Sequence, residues 1–174
     1  MQNFKKPNLD SLEANYKTLV TQIDHLIEEE NDITAILSNV SSALKETFNF
    51  LWVGFYLIKN EELVLGPFQG PVACFRIKKN EGVCGYCWKE KKTIIVPNVN
   101  KFPRHIECSS LSKSEIVVPV FKKNDIFAVL DVDSKSLNQF NVIDKTYLEK
   151  IVRSIEKKLL ISIFMSPFDV HINR

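Results

Sequence analysis

Residues Glu115–Ser134 read EIVVPVFKKNDIFAVLDVDS, two runs rich in β-branched residues on either side of a polar turn. Glu115 to Phe121 and Ile126 to Asp133 are predicted strands, and Lys122 to Asp125 has the composition of a hairpin turn. Near the end of the second run, Asp131 and Asp133 alternate with Val132. Period-two geometry therefore points both carboxylates to one face of the sheet and the valine to the other. Like charges on one face repel, so the pair either ends a strand in solvent or invites a cation.

Upstream, Asn49 to Ile58 (NFLWVGFYLI) is aromatic and β-branched, and the polar Lys59 to Glu62 leads into the short apolar run Leu63 to Leu65. That pattern predicts a first hairpin. Its Trp52, Phe55 and Tyr56 suit either a core or the wall of a binding pocket. After Pro67, Gly70 and Pro71, which are expected to break the sheet, VACFRI predicts a strand carrying Cys74. GVCGYCWKEKK predicts a turn into a short helix from about Cys84 to Lys91, placing the Cys84 thiol at a helix N-terminus, where exposed amides favour the thiolate. The strand TIIVPNV and the long polar loop NKFPRHIECSSLSKS follow, the loop bearing His105 and Cys108.

Three amphipathic helices flank these strands. Leu12, Tyr16, Leu19, Val20, Ile23, Leu26 and Ile27 recur at helical spacing after a cap at Asp10 or Ser11. Ile33, Ile36, Leu37, Val40, Leu44 and Phe48 do the same after Asp32, as do Tyr147 to Leu159 after Asn141. The expected fold is α+β: a largely antiparallel central sheet, N- and C-terminal helices packed on one face, and active-site loops on the other. Cys108, Glu115, Asp131 and Asp133 would then meet on the loop face. The expected domain covers residues 1–160, with 161–174 as a C-terminal tail.

Composition bounds the function. With 174 residues, 45% hydrophobic and 25% charged, the chain has enough core to fold without disulfide staples. A net charge of +2, with basic and acidic residues interleaved, argues against nucleic acid as a partner. The N-terminus lacks the apolar run of a secretory signal, and no stretch is long enough to span a bilayer, so a cytoplasmic protein without membrane attachment is expected. In that reducing compartment, thiols serve redox catalysis or metal binding more than permanent bridges.

All four cysteines, Cys74, Cys84, Cys87 and Cys108, lie between Gly66 and Glu115, which marks a site. Cys84/Cys87 and His105/Cys108 are two ligand pairs of zinc-like spacing, although the chain has no small core for a structural metal to compensate. The redox reading instead needs one nucleophilic thiol and one or two others that attack the resulting sulfenic acid.

Five stretches carry a wider resemblance: WVGFY (52–56), GPFQGPVAC (66–74), GVCG (82–85), SEIVVP (114–119) and LDVDS (130–134). In this order they resemble the free methionine-(R)-sulfoxide reductases, a family of single GAF domains. The resemblance implies reduction of the R epimer of free methionine sulfoxide, with no bound cofactor and no metal. It implies Cys108 as the catalytic thiolate, Cys74 or Cys84 as the cysteine that resolves its sulfenic acid, and thioredoxin as external reductant, fed by NADPH through thioredoxin reductase. It places Glu115, Asp131 and Asp133 around the substrate, with Glu115 the favoured proton donor, and Trp52 and Tyr56 around the S-methyl group. A homodimer is common in the family. Cys87 stands where the family has a small non-cysteine residue, and its role is open. The competing expectations are a GAF module that senses a small ligand without turnover, and a zinc domain built on the Cys/His pairs.

Overall fold

The structure, a computed structural model, describes residues 4–103, 106 and 108–164, the last four by backbone alone. Helix α1 (Leu12–Ile27) starts where Ser11 accepts a hydrogen bond from the Ala14 amide, 3.1 Å. Helix α2 (Ile33–Phe48) starts where Asp32 accepts one from Ala35, 2.9 Å, and ends at Asn49 in the left-handed region, φ 53°. Both caps satisfy amides that the first turn leaves without partners. Helix α4 (Val142–Phe164) begins with Asn141 Oδ1 accepting from Ile143 N, 2.7 Å, while Asp144 Oδ2 accepts from Asn141 N, 2.8 Å. The other oxygen of Asp144 accepts from the buried Tyr16 hydroxyl, 2.9 Å, tying the first helix to the last.

Six strands follow α2: β1 (Trp52–Lys59), β2 (Glu62–Gln69), β3 (Arg76–Lys78), β4 (Ile94–Val96), β5 (Ser114–Lys122) and β6 (Asp125–Ser134). They form one sheet in the order β3-β2-β1-β6-β5-β4, and every neighbouring pair is antiparallel. Helix α3 (Gly82–Glu90) lies between β3 and β4, and a 3-10 turn spans Val99–Lys101. The first hairpin turns tightly at Asn60 and Glu61, both with positive φ, so that Lys59 pairs with Glu62.

Strand alternation sorts the two faces. Val53 and Phe55 of β1, Ile116, Val118 and Val120 of β5, and Ala128, Leu130 and Val132 of β6 pack under α1, α2 and α4. Trp52, Tyr56, Val117 and Val129 point to the opposite face and pack against Val83, Cys84, Cys87 and Trp88 of α3. Each fully buried side chain of this size contributes about 1.5–3 kcal/mol, so the first layer fixes the register of the second. The opposite face therefore carries a helix as well as loops, which the sequence pattern alone did not place there. Helix α3 comes so close to the chain before it that a Cβ on Gly85 would sit 2.2 Å from the Lys78 carbonyl oxygen. Only glycine fits this approach.

Two local expectations need correction. Pro67 does not break the sheet: β2 runs through it to Gln69. Between the pairs Gly54↔Phe68 and Tyr56↔Leu65, the single residue Phe55 faces both Gly66 and Pro67, a bulge that absorbs the proline's missing donor. VACFRI is likewise not one strand. Only Arg76–Lys78 pairs with β2, and Cys74 lies in the connection before it. Among the described residues, no helix is long and apolar enough to cross a membrane.

Candidate active site

Antiparallel register assembles the acidic cluster. Glu115 of β5 pairs with Asp133 of β6, which pairs on its other side with Trp52 of β1. Asp131, two residues back, pairs with Val117 and Gly54. Four side chains, those of Trp52, Glu115, Asp131 and Asp133, thus leave the same face of three adjacent strands. They line one pocket together with Tyr56, Cys84, Cys108, Ser112, Ile106 and the Pro71–Ala73 connection. Gly54 makes the aromatic wall possible, since a Cβ there would lie 2.5 Å from the Trp52 ring. Trp52 stacks between Tyr56, 5.9 Å between ring centroids, and Phe68, 5.3 Å.

The sulfurs divide into three situations. Cys74 and Cys108 form a disulfide with Cα atoms 5.3 Å apart, both residues half-buried. The Tyr56 hydroxyl donates to the Cys74 carbonyl, 3.0 Å, holding that connection over the pocket. Cys84 is a free, buried thiol whose Sγ lies 3.8 Å from Glu115 Oε1. Cys87, one turn further along α3, is fully buried and donates toward the carbonyls of Lys92, 3.3 Å, and Val117, 3.7 Å. Its thiol packs into the core of the α3 face, and burial pushes its pKa up.

The expectation of a Cys84 thiolate needs correction. Burial, then Asp131, then Glu115 push this thiol well above the ordinary range, and they outweigh the helix N-terminus. The zinc set of Cys84, Cys87, His105 and Cys108 is not assembled either. Cys108 is bonded to Cys74, Cys87 turns to backbone carbonyls, and His105 lies outside the described residues.

Glu115 and Asp131 are buried and Asp133 half-buried, and three carboxyls within reach of one another cannot all ionise cheaply. Burial, with repulsion from Asp131 and then Asp133, pushes Glu115 well above the usual carboxylate range. Burial and Asp133 do the same to Asp131. Asp133 is pushed up to about 6 by burial, against a hydrogen bond from the Ser112 hydroxyl that favours its charged form. Two buried polar atoms of the pocket, Trp52 Nε1 and Asp131 Oδ1, have no hydrogen-bond partner within the described protein. A donor and an acceptor left open in one pocket await a polar ligand.

A pH dependence of stability follows from these raised carboxyls. A folded-state pKa above the unfolded value means that the native state holds more protons in the window between the two. The stabilisation is complete below the unfolded value near 4 and is lost as pH rises through about 6 for Asp133, and higher for its partners. Ligand-free protein should therefore melt several degrees higher at pH 5 than at pH 8, on the order of 2 kcal/mol. Scanning calorimetry checks this, and Asp133→Asn should flatten the lower part of the profile.

Sequence reasoning missed Ser112 and Phe68. Ser112 sat unremarked in a polar loop, and its contact with Asp133 joins residues 21 apart. Phe68, a stacking partner of Trp52, lies between Pro67 and Gly70, where the prolines and glycine suggest a break in the sheet.

The GAF domain family model matches residues 32–159. A chain from Dictyostelium discoideum, "GAF domain-containing protein A", is 57% identical over 84% of this chain and 93% of its own. The free methionine-R-sulfoxide reductase of Escherichia coli is 39% identical over 83% of this chain and 88% of its own. The chain is a GAF domain of the free methionine-R-sulfoxide reductase family. The crystal structure of that reductase from Neisseria meningitidis, in complex with its substrate, superposes with a TM-score of 0.92 at 42% identity, covering 95% of this chain and all of that one.

Proposed function

We propose that this chain reduces the free R epimer of methionine sulfoxide to methionine through Cys108. The observation that carries the reading is the Cys74–Cys108 disulfide beside a pocket floored by Glu115, Asp131 and Asp133 and walled by Trp52 and Tyr56. Membership in the reductase family supports the substrate class.

In the proposed cycle the Cys108 thiolate attacks the sulfoxide sulfur, and Glu115, protonated because it is buried among like charges, donates its proton to the sulfoxide oxygen. The oxygen leaves with the Cys108 sulfur as a sulfenic acid, and methionine departs with the electron pair. The Cys74 thiol then attacks the sulfenic sulfur, expelling water and forming the disulfide. A dithiol protein of the thioredoxin type, drawing on NADPH through thioredoxin reductase, returns the two electrons. Cys84 has no step in this sequence.

Asp133, together with Asp131 once the incoming cation displaces its proton, binds the substrate ammonium, and the Trp52–Tyr56 wall takes the S-methyl group. A peptide-bound methionine sulfoxide presents a neutral, blocked nitrogen to these carboxylates, so the site selects the free amino acid. The test is NADPH consumption with thioredoxin and its reductase. Turnover is expected with free methionine-R-sulfoxide, and at least about 100-fold less with the S epimer or a peptide sulfoxide. Equal use of the peptide would sink the ammonium assignment, and no turnover of any of the three would sink the reductase reading.

A further inference from the structure

Cys84 is the thiol that the proposed cycle leaves idle, yet it sits against the two most deeply buried carboxyls of the pocket. One ligand atom each from Cys84, Glu115 and Asp131 lies within 4.8 Å of the other two. Asp131 is 7% exposed, and its Oδ1 has no partner. A substrate ammonium would satisfy that oxygen, but an ammonium has no use for a thiol.

We propose that Cys84, Glu115 and Asp131 form a binding site for a thiophilic divalent cation of the zinc class. The separations suit it. Zinc bonds of about 2.3 Å to sulfur and about 2.0–2.2 Å to oxygen, at tetrahedral angles, set sulfur–oxygen distances of roughly 3.5 Å. The Cys84 Sγ to Glu115 Oε1 distance is 3.8 Å and no separation in the trio exceeds 4.8 Å, so the first pair closes on the ion by a few tenths of an ångström and the widest by at most about 1.3 Å, a side-chain rotation. Three anionic ligands around a divalent ion leave one net negative charge in place of three mutually repelling groups. A pocket that opens beside them leaves the fourth position to water. A thiolate with only two carboxylates disfavours calcium and magnesium, which need six or more oxygens.

Charge also accounts for what the helix N-terminus alone does not achieve. Burial keeps Cys84 protonated, whereas a cation within bonding distance deprotonates it outright. Binding releases the thiol proton and those held by the two carboxyls, so affinity rises with pH. The ion covers part of the subsite to which the proposed function assigns the substrate ammonium. Insofar as that reading holds, the metal and the amino acid exclude one another, and zinc is a reversible inhibitor.

The protein with its Cys74–Cys108 disulfide intact is the clean material, because Cys84 and Cys87 are then its free thiols. After stripping with chelator, zinc is titrated at pH 7.5 in competition with a chromophoric chelator. One equivalent is expected to bind. Cys84→Ser should weaken it beyond the roughly 10–100-fold that removing a ligand's hydrogen-bond partner costs, Asp131→Asn by at least about tenfold, and Cys87→Ser not at all. Stoichiometric binding that survives Cys84→Ser, or no binding by the wild type, overturns the site. Should the serine variant fail to fold, cobalt in the wild-type protein decides: a sulfur-to-cobalt band of one-thiolate intensity supports the site, and a two-thiolate band or none overturns it.

Free methionine should weaken zinc binding in proportion to its concentration, and binding indifferent to methionine overturns the mutual exclusion. Turnover by metal-stripped, reduced protein is a separate readout. Stripped protein that binds zinc but reduces no sulfoxide would sink the functional reading and leave the metal site standing. Active protein that binds no zinc would do the reverse.

Discussion

Cys108→Ser is expected to lower turnover of free methionine-R-sulfoxide by at least about 10⁴-fold, to below detection. A serine hydroxyl is scarcely ionised near neutral pH and is a poor nucleophile toward sulfur. The variant should nonetheless fold. Cys108 lies in a connection outside the sheet, and neither hydrophobic layer depends on it. The comparison has to be made with reduced wild-type protein. The disulfide closes a loop of 34 residues, worth about 4 kcal/mol in the chain-entropy account, and the variant lacks it by design. Melting within a few degrees of the reduced wild type, with turnover lost, is the expected pair of results. Retention of more than about one part in a hundred of the activity would remove Cys108 from the role of nucleophile. Cys74→Ser should behave differently, releasing one methionine per chain in a single turnover and leaving a sulfenic acid on Cys108 that dimedone traps. Steady-state turnover with thioredoxin should collapse in that variant.

Glu115→Gln should reduce kcat by about 10²–10⁴-fold with little change in KM. Glutamine matches the protonated glutamic acid in shape and lacks only the transferable proton, so substrate binding survives while oxygen departure slows. Asp131→Asn should do the opposite, raising KM by about tenfold or more through loss of a charge that faces the ammonium, with a smaller effect on kcat. Steady-state kinetics on the two variants measures the split directly. If Asp131→Asn lowers kcat and Glu115→Gln raises KM, the two carboxyls have exchanged roles. If both variants change both constants equally, the three carboxyls titrate as one unit that holds a shared proton. The raised pKa of each member of the cluster makes that alternative outcome physically distinct.

Local chemistry explains what could be read early. Helix α2 was legible because Asp32 and the spacing of Ile36, Leu37, Val40 and Leu44 state its start and buried stripe within one segment. The second hairpin was legible for the same reason: alternation in LDVDS alone puts Val132 under the helices and both aspartates on the pocket side. The proline in β2 misled because a bulge depends on the partner strand, here Phe55 facing Gly66 and Pro67. Cys84 misled because its neighbours in sequence promise a helix N-terminus, whereas burial and two carboxyls surround it in space.

Local sequence suffices for the hairpins, the three long helices, the side of the sheet on which Asp131 and Asp133 stand, and membership of the reductase family. Those properties are written in caps, periods and motifs a few residues long. The folded arrangement alone shows that Cys108 meets Cys74 while Cys84 meets Glu115, that Ser112 bonds Asp133, and that Cys87 turns into the core. Which thiol ionises and which carboxyl keeps its proton depends on burial and on charges brought together by strand register. No stretch of chain carries that information until the sheet has closed.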